Sequence, residues 1–171
     1  MQIRAWVLLT VLSGCASGPR PVHFADTAEG NLAGAQMAYA RLDFYRTARL
    51  FDAAVEGGAQ PSRYDFRMRA AAFAPQRQWA EGEAWIRTVA LVRFPMDAGL
   101  LESRALCLSH LPGRAAEAER VAREALREDP DRCVAAFMLD GSREHLRACQ
   151  TRARGELLSQ WEADRIGTTR R

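Results

Sequence analysis

Cysteine and histidine are the residue types in this 171-residue chain that are best able to do chemistry. The three histidines, His23, His110 and His145, lie far apart, and none stands in a recognisable frame with a carboxylate and a nucleophile. The sequence has no zinc-protease, phosphate-loop or nucleophile-elbow motif, and no Cys-x-x-Cys or histidine spacing that would hold a metal. We therefore expect a protein that is not an enzyme and that carries neither a metal nor a cofactor.

Cys15 is the cysteine whose neighbours say most about its role. A short start with Arg4 precedes an apolar run over residues 5–12, and the small pair Ser13-Gly14 comes directly before the cysteine. This order of basic, apolar and small residues is typical of a secretory signal. The run is too short to cross a bilayer as a helix, which takes about 20 residues. The sequence therefore predicts that residues 1–14 are removed as a signal peptide.

The four residues that end at Cys15, Leu12-Ser13-Gly14-Cys15, resemble the lipobox of bacterial lipoproteins. In that family the cysteine thiol carries a diacylglyceryl group, the bond before it is cut, and the new amine is usually acylated. Each buried CH₂ contributes about 0.8 kcal/mol, so two or three acyl chains give a stable anchor. Ala16 stands where the family's inner-membrane retention signal is typically Asp, so the resemblance implies the outer membrane, facing the periplasm. The alternative is an ordinary signal peptide that contains a cysteine.

Three cysteines follow the predicted anchor. Cys133 and Cys149 lie symmetrically on either side of Gly141, in a segment whose pattern is helix, turn, helix. Antiparallel helices that turn there would bring these two residues together, and the compartment implied by the signal is oxidising. We therefore expect a disulfide between Cys133 and Cys149. The alternative is that both, like Cys107, are small buried apolar side chains.

Charge gives little indication of a partner. The chain has a net charge of +3, and loss of Arg4 with the signal lowers it by one. Such a small excess does not indicate binding to nucleic acid.

The chain after the signal divides into a tether, one domain and a tail. Residues 15–28 contain Gly18, Pro19 and Pro21 and no helical period, so they predict a flexible tether behind the lipidated cysteine. From residue 29 to 166, apolar residues recur every three or four positions, which predicts an all-α domain. Residues 167–171 predict a loose tail. Breaks between helices are predicted at residues 57–61, 75, 94–95, 112–113, 129–130 and 140–141.

Three segments of the helical domain share one spacing of aromatic, small and apolar residues. Phe44, Thr47, Phe51 and Ala54 recur as Trp79, Gly82, Ile86 and Val89, and again as Ala115, Ala118, Ala122 and Ala125. A proline closes each unit, at Pro61, Pro95 and Pro130. Over residues 29–130 this pattern resembles the second half of a tetratricopeptide repeat, although the family's Trp-x2-Leu-Gly opening is missing.

The repeat resemblance implies a short solenoid of stacked antiparallel helix pairs. Such an array needs a cap, and residues 132–139 with 142–165 would supply a last hairpin or a C-terminal capping helix. The side chains expected to pack the cap are Leu146, Leu157, Leu158, Trp161 and Ile166. An unrelated helical bundle is the alternative architecture.

In the family, the first helix of each pair lines a groove that holds a protein segment. The residues expected to face that groove are Gln36, Tyr39, Tyr64, Arg67, Ala71, Leu100, Ser103 and Cys107. The sequence thus predicts a lipid-anchored periplasmic adaptor that binds a protein partner, for example during assembly of an envelope or secretion complex. Two alternatives remain: an accessory protein that binds a small anionic ligand or serves as an enzyme subunit, and a structural lipoprotein that associates with itself.

Overall fold

The computed structural model describes residues 27–145, 147–149 and 151, and throughout this part of the chain it is all-α with no strand. The signal, Cys15, most of the tether, the expected packing side chains of the cap and the tail lie outside the described residues. The helices are α1 (Ala28–Ala40), α2 (Phe44–Glu56), α3 (Arg63–Ala71), α4 (Trp79–Trp85), α5 (Leu91–Arg93), α6 (Ala98–Ser109), α7 (Ala115–Glu128) and α8 (Cys133–Asp140). A further helical stretch follows α8 and carries Cys149.

Each predicted break falls at the end of a helix or between two helices, although α3 ends at Ala71 and α6 at Ser109, a few residues before Pro75 and Pro112. Gly141, for example, follows α8 with a φ of 65°, the left-handed conformation that glycine adopts readily. A further break, between α1 and α2, has no glycine or proline. Leu42 takes a φ of 61° there, and the Asp43 carboxylate accepts a hydrogen bond from the Arg46 N–H at 3.1 Å. Asp43 therefore starts α2 as an N-cap.

A π-helical turn, Ile86–Ala90, joins α4 to α5 in one continuous rod. Such a turn accommodates an extra residue and rotates the residues that follow it about the helix axis. Ala90 is consequently buried and Val89 is exposed. The second aligned segment therefore ends on an exposed residue, Val89, whereas its counterparts in the other two segments, Ala54 and Ala125, are buried.

Helix contacts extend along the chain from one pair to the next. The helices α1, α3, α6 and α8 form a series in which each contacts the following one. Between them, α1 packs on α2, and α6 packs on α7. The helices α2, α4 and α7 also contact the next member of the series, namely α3, α6 and α8.

Two clusters of apolar side chains fill the interior. The first is aromatic, with the Phe66 ring stacked on Trp85 at 5.7 Å and edge-on to Phe51 at 5.4 Å between ring centroids. The second lies between α6, α7 and α8 and is built largely from small residues such as Ala122 and Ala125. Small side chains let helix axes approach closely, so α7 packs tightly on α6.

Candidate protein-binding surface

Gln36 is one of two groove residues expected on α1, and it is exposed there. Its Nε2 donates a 2.7 Å hydrogen bond to Oδ1 of Asp65 on α3. The other Asp65 oxygen accepts from the Ser62 backbone N–H and from the Ser62 hydroxyl, each at 2.7 Å. Asp65 thus caps α3 and connects it to α1 through Gln36.

Arg67, on α3, forms a two-pronged ion pair with Asp97. Its Nε donates to Oδ1 and its Nη2 donates to Oδ2, both at 2.8 Å. The Asp97 side chain is buried and also accepts the Leu100 N–H at 3.0 Å, which caps α6. Burial alone would raise the pKa of Asp97, but these hydrogen bonds outweigh it, and the pKa is lowered. Arg67 therefore holds α3 against the start of α6.

Four more of the eight expected groove residues differ in exposure, and of these Ala71, the last residue of α3, is half-buried. Tyr64 is exposed on the first turn of α3. Tyr39 is half-buried, with its ring edge-on to Phe44 at 5.9 Å between centroids. Ser103 is half-buried, and its hydroxyl donates to the Gly99 carbonyl at 3.0 Å. Gln36 and Tyr64 are thus the most accessible of the eight.

Two residues of α6 are not on the surface. The sequence placed Leu100 and Cys107 facing the groove, but both are fully buried. The reason is that α6 contacts α3, α4, α7 and α8, so only part of the helix, for example at Ser103, remains accessible. Burial raises the pKa of the Cys107 thiol to about 11, with a further contribution from the Glu83 carboxylate. Cys107 is therefore an interior side chain.

Two arginines lie over the first turn of α6. A Cβ built on Gly99 would be 3.0 Å from Nε of Arg67 and 3.3 Å from Nη1 of Arg132. Arg132 pairs with Asp129 at 2.9 Å, just as Arg67 pairs with Asp97. Both guanidinium groups therefore already have carboxylate partners, and a small anion would have to compete with them.

Glu102 has a role that the sequence did not reveal. Its Oε1 accepts the N–H groups of Val134 and Ala135 at 3.0 and 3.1 Å, so a side chain of α6 caps the first turn of α8. Burial raises the pKa of Glu102 despite these hydrogen bonds. Because the two partners lie more than thirty residues away in sequence, no local pattern indicates the contact.

Glu102→Ala is expected to lower the free energy of unfolding by about 1 to 2 kcal/mol, because it leaves two helix N–H groups without an acceptor. Glu102→Gln keeps an oxygen acceptor and removes a desolvated charge, so near neutral pH it should cost much less. A raised pKa means that the Glu102 carboxyl binds its proton more tightly in the folded state than in the unfolded state. The free energy of unfolding therefore falls as pH rises from the ordinary pKa of glutamate to the raised pKa of the folded state.

Urea unfolding of the two Glu102 variants and the wild type, at neutral and acidic pH, measures these differences. Amide exchange at Val134 and Ala135 locates the effect. Equal losses for alanine and glutamine at neutral pH would contradict the capping role.

The two described histidines have different partners: His110 contacts an aromatic ring, and His145 contacts a carboxylate. His110 is the C-cap of α6, as expected, and its ring stacks on Trp79 with centroids 3.9 Å apart. Nδ1 of His145 lies 2.9 Å from Oδ2 of Asp140 just after α8. Over residues 27–145 and the few described beyond them, no three His, Cys, Asp or Glu side chains are grouped so that they could hold a metal ion.

The cysteines near the C-terminus are bonded. The Cys133 and Cys149 sulfur atoms are 2.03 Å apart, and their Cα atoms are 5.4 Å apart. The bond closes the hairpin at Gly141 and joins α8 to the helical stretch after it, as the symmetric spacing indicated.

No helix of the described part of the chain is long and apolar enough to cross a membrane. Comparison of the chain with protein-family models, with curated proteins and with solved structures finds no match.

Proposed function

We propose that this chain is a lipid-anchored periplasmic adaptor whose helical domain binds a segment of a partner protein at the outer membrane. The observation that carries the proposal is the unbroken series α1, α3, α6 and α8, in which each helix contacts the next. One continuous surface along such a series can hold an extended or helical segment across several helices.

Three features support a tetratricopeptide-like solenoid as the architecture. The three aligned segments begin the helices α2, α4 and α7 at their first aligned residues. Their aligned small residues, Thr47, Gly82 and Ala118, are all buried. Each pair also contacts the following pair through the next helix of the series, which is the neighbour pattern of stacked hairpins.

The chemistry of the surface favours a protein segment as ligand. Tyrosine and arginine are enriched among the residues that contribute most to protein interfaces, and Tyr64 and Arg67 lie one turn apart on α3. The bonds of Gln36 to Asp65 and of Arg67 to Asp97 fix these helices relative to one another. A partner would therefore bind a preorganised surface with little loss of side-chain freedom.

The anchor is tested by Cys15→Ser. Without a thiol the chain cannot accept the diacylglyceryl group, so we expect it to move to the soluble fraction or to remain uncleaved. The measurement is fractionation of cells followed by mass analysis of the product. Mature protein that still sediments with membranes after the substitution would refute the lipid anchor.

The binding surface is tested by Tyr64→Ala in the full-length lipidated protein. Tyr45, on α2, is a matched control because it is also an exposed tyrosine but lies outside the series of α1, α3, α6 and α8. We expect affinity purification after detergent extraction to return a partner with the wild type and with Tyr45→Ala, and to lose it with Tyr64→Ala. Equal recovery with both variants would place the partner elsewhere.

A further inference from the structure

The start of α1 lies close to the ends of α2 and α5 at one end of the helical domain. We name this end the tether end. A Cβ built on Gly57, after α2, would lie 3.1 Å from the Cβ of Ala28 at the start of α1. Nη2 of Arg93, the last residue of α5, donates to Oε1 of Gln60 at 3.1 Å. Helix α1 begins at this end, with Ala28 as its first residue.

The tether end exposes apolar side chains that the core does not use. Val92 on α5 is 74% exposed, and Met96 in the loop before α6 is 55% exposed. Met96 has a φ of 61°, a conformation that favours glycine or asparagine. The turn itself does not favour a methionine at this position, and the Met96 side chain adds apolar area to the surface.

Basic groups accompany these apolar residues. Arg63 begins α3, and its side chain is 64% exposed. Its nearest carboxylate, on Asp97, lies 3.6 Å away and is already bound in two-pronged fashion by Arg67, so the Arg63 guanidinium keeps donors directed to solvent. Arg93 is also exposed, next to Val92. Apolar side chains beside arginine can bind the interfacial region of an anionic bilayer. They lie on the α3 and α5 side of this end, and the exposed Glu29 and Glu56 lie at the start of α1 and the end of α2.

The opposite, far end serves as an internal comparison. It holds the start of α2, where Nε2 of Gln76 donates to the Phe44 carbonyl at 3.3 Å. Leu42 is 61% exposed there and Tyr45 is 71% exposed. With a rise of about 1.5 Å per residue, α2 sets the two ends roughly 20 Å apart. Both ends thus expose apolar groups. They differ in that α1 begins at the tether end.

We propose that the tether end rests on the membrane surface, with Val92 and Met96 among the lipid headgroups and Arg63 and Arg93 near their phosphates. The inference rests on the proposed lipid anchor at Cys15. The chain from Cys15 to Ala28 spans at most about 45 Å in any conformation, so the anchor keeps this end at the bilayer at high effective concentration. The surface of α1, α3 and α6 then stands beside the membrane and remains open to a partner.

Nitroxide scanning of the full-length lipidated protein tests this orientation. Single cysteines replace Val92 and Met96 at the tether end, and Leu42 and Tyr45 at the far end. The native cysteines do not interfere, because Cys15 is lipidated in the proposal, Cys107 is buried, and the other two are bonded to each other. The protein is reconstituted in vesicles of phosphatidylethanolamine with a minority of phosphatidylglycerol, and flotation is measured first.

In vesicles, labels at positions 92 and 96 should lose collisions with a water-soluble nickel reagent severalfold and gain collisions with oxygen. Labels at positions 42 and 45 should keep the values that they have in detergent. Floating protein whose four labels are equally accessible to nickel would overturn the membrane contact and leave the anchor standing. Protein that does not float would overturn both the anchor and the contact.

Discussion

Replacing Arg104 with alanine is expected to lower the free energy of unfolding by about 3 to 5 kcal/mol, because it leaves a buried carboxylate without its main partner. Nε and Nη2 of Arg104 both donate to Oε1 of Glu83 at 3.1 Å, and Nη2 also donates to Glu117 at 2.9 Å. The Glu83 side chain is only 6% exposed. The ion pair between Arg104 and Glu83 joins α6 to α4, so its loss should weaken the packing of these two helices.

The comparison variant is Arg123→Ala, which breaks an exposed pair with Glu119 one turn away on α7. That change should cost only about 0.2 to 0.5 kcal/mol. A second comparison, Arg104→Met with Glu83→Leu, removes both charges and should recover most of the lost stability. Urea unfolding measures all three proteins. A loss for Arg104→Ala as small as that for Arg123→Ala would contradict the dependence of Glu83 on Arg104, and would mean that Arg87, whose Nε lies 3.3 Å from Oε1 of Glu83, or solvent suffices.

Gly82→Leu is expected to destabilise the protein by about 3 kcal/mol or more, because the interior beside α4 has no room for a side chain. A Cβ at this position would lie 2.8 Å from both Cβ and Cγ of Phe73 and 3.0 Å from Sγ of Cys107. Those neighbours are themselves fully buried, so they cannot move aside without disturbing the core. Even alanine, which gains up to about 1 kcal/mol in helix propensity, should give a net loss.

Ala80→Leu is the matched control for Gly82, since Ala80 lies on the same helix but is exposed. It should change stability by no more than about 0.5 kcal/mol. Thermal unfolding followed by circular dichroism compares the variants. Equal midpoints for Gly82→Leu and Ala80→Leu would mean that α4 does not pack on Phe73 and Cys107 as described.

Local chemistry explains why much of the fold could be predicted from sequence. Helix ends depend on glycine, proline and capping side chains within a few residues, so breaks such as the one at Gly141 are visible directly. The symmetric spacing about that turn also indicated the pair Cys133 and Cys149. The break at Leu42 was missed because a leucine adopts a conformation there that sequence patterns assign to glycine.

Contacts between distant segments explain what could not be predicted. The π-helical turn that exposes Val89 depends on how α4 and α5 pack, and no residue type in it marks the extra residue. The repeat resemblance placed Leu100 in a groove, because a resemblance in spacing cannot show that four other helices contact α6. Arg67 was expected to meet a ligand, and the carboxylate that it binds lies thirty residues away.

Photo-cross-linking in intact cells tests the central claim, which is that the surface of α1, α3 and α6 binds a protein segment. A photoreactive amino acid replaces Tyr64 in one variant and Arg123, on the exposed face of α7, in another. We predict one reproducible protein adduct from position 64, and none from position 123. Adducts absent from position 64, or equally abundant at both positions, would contradict the proposed binding surface.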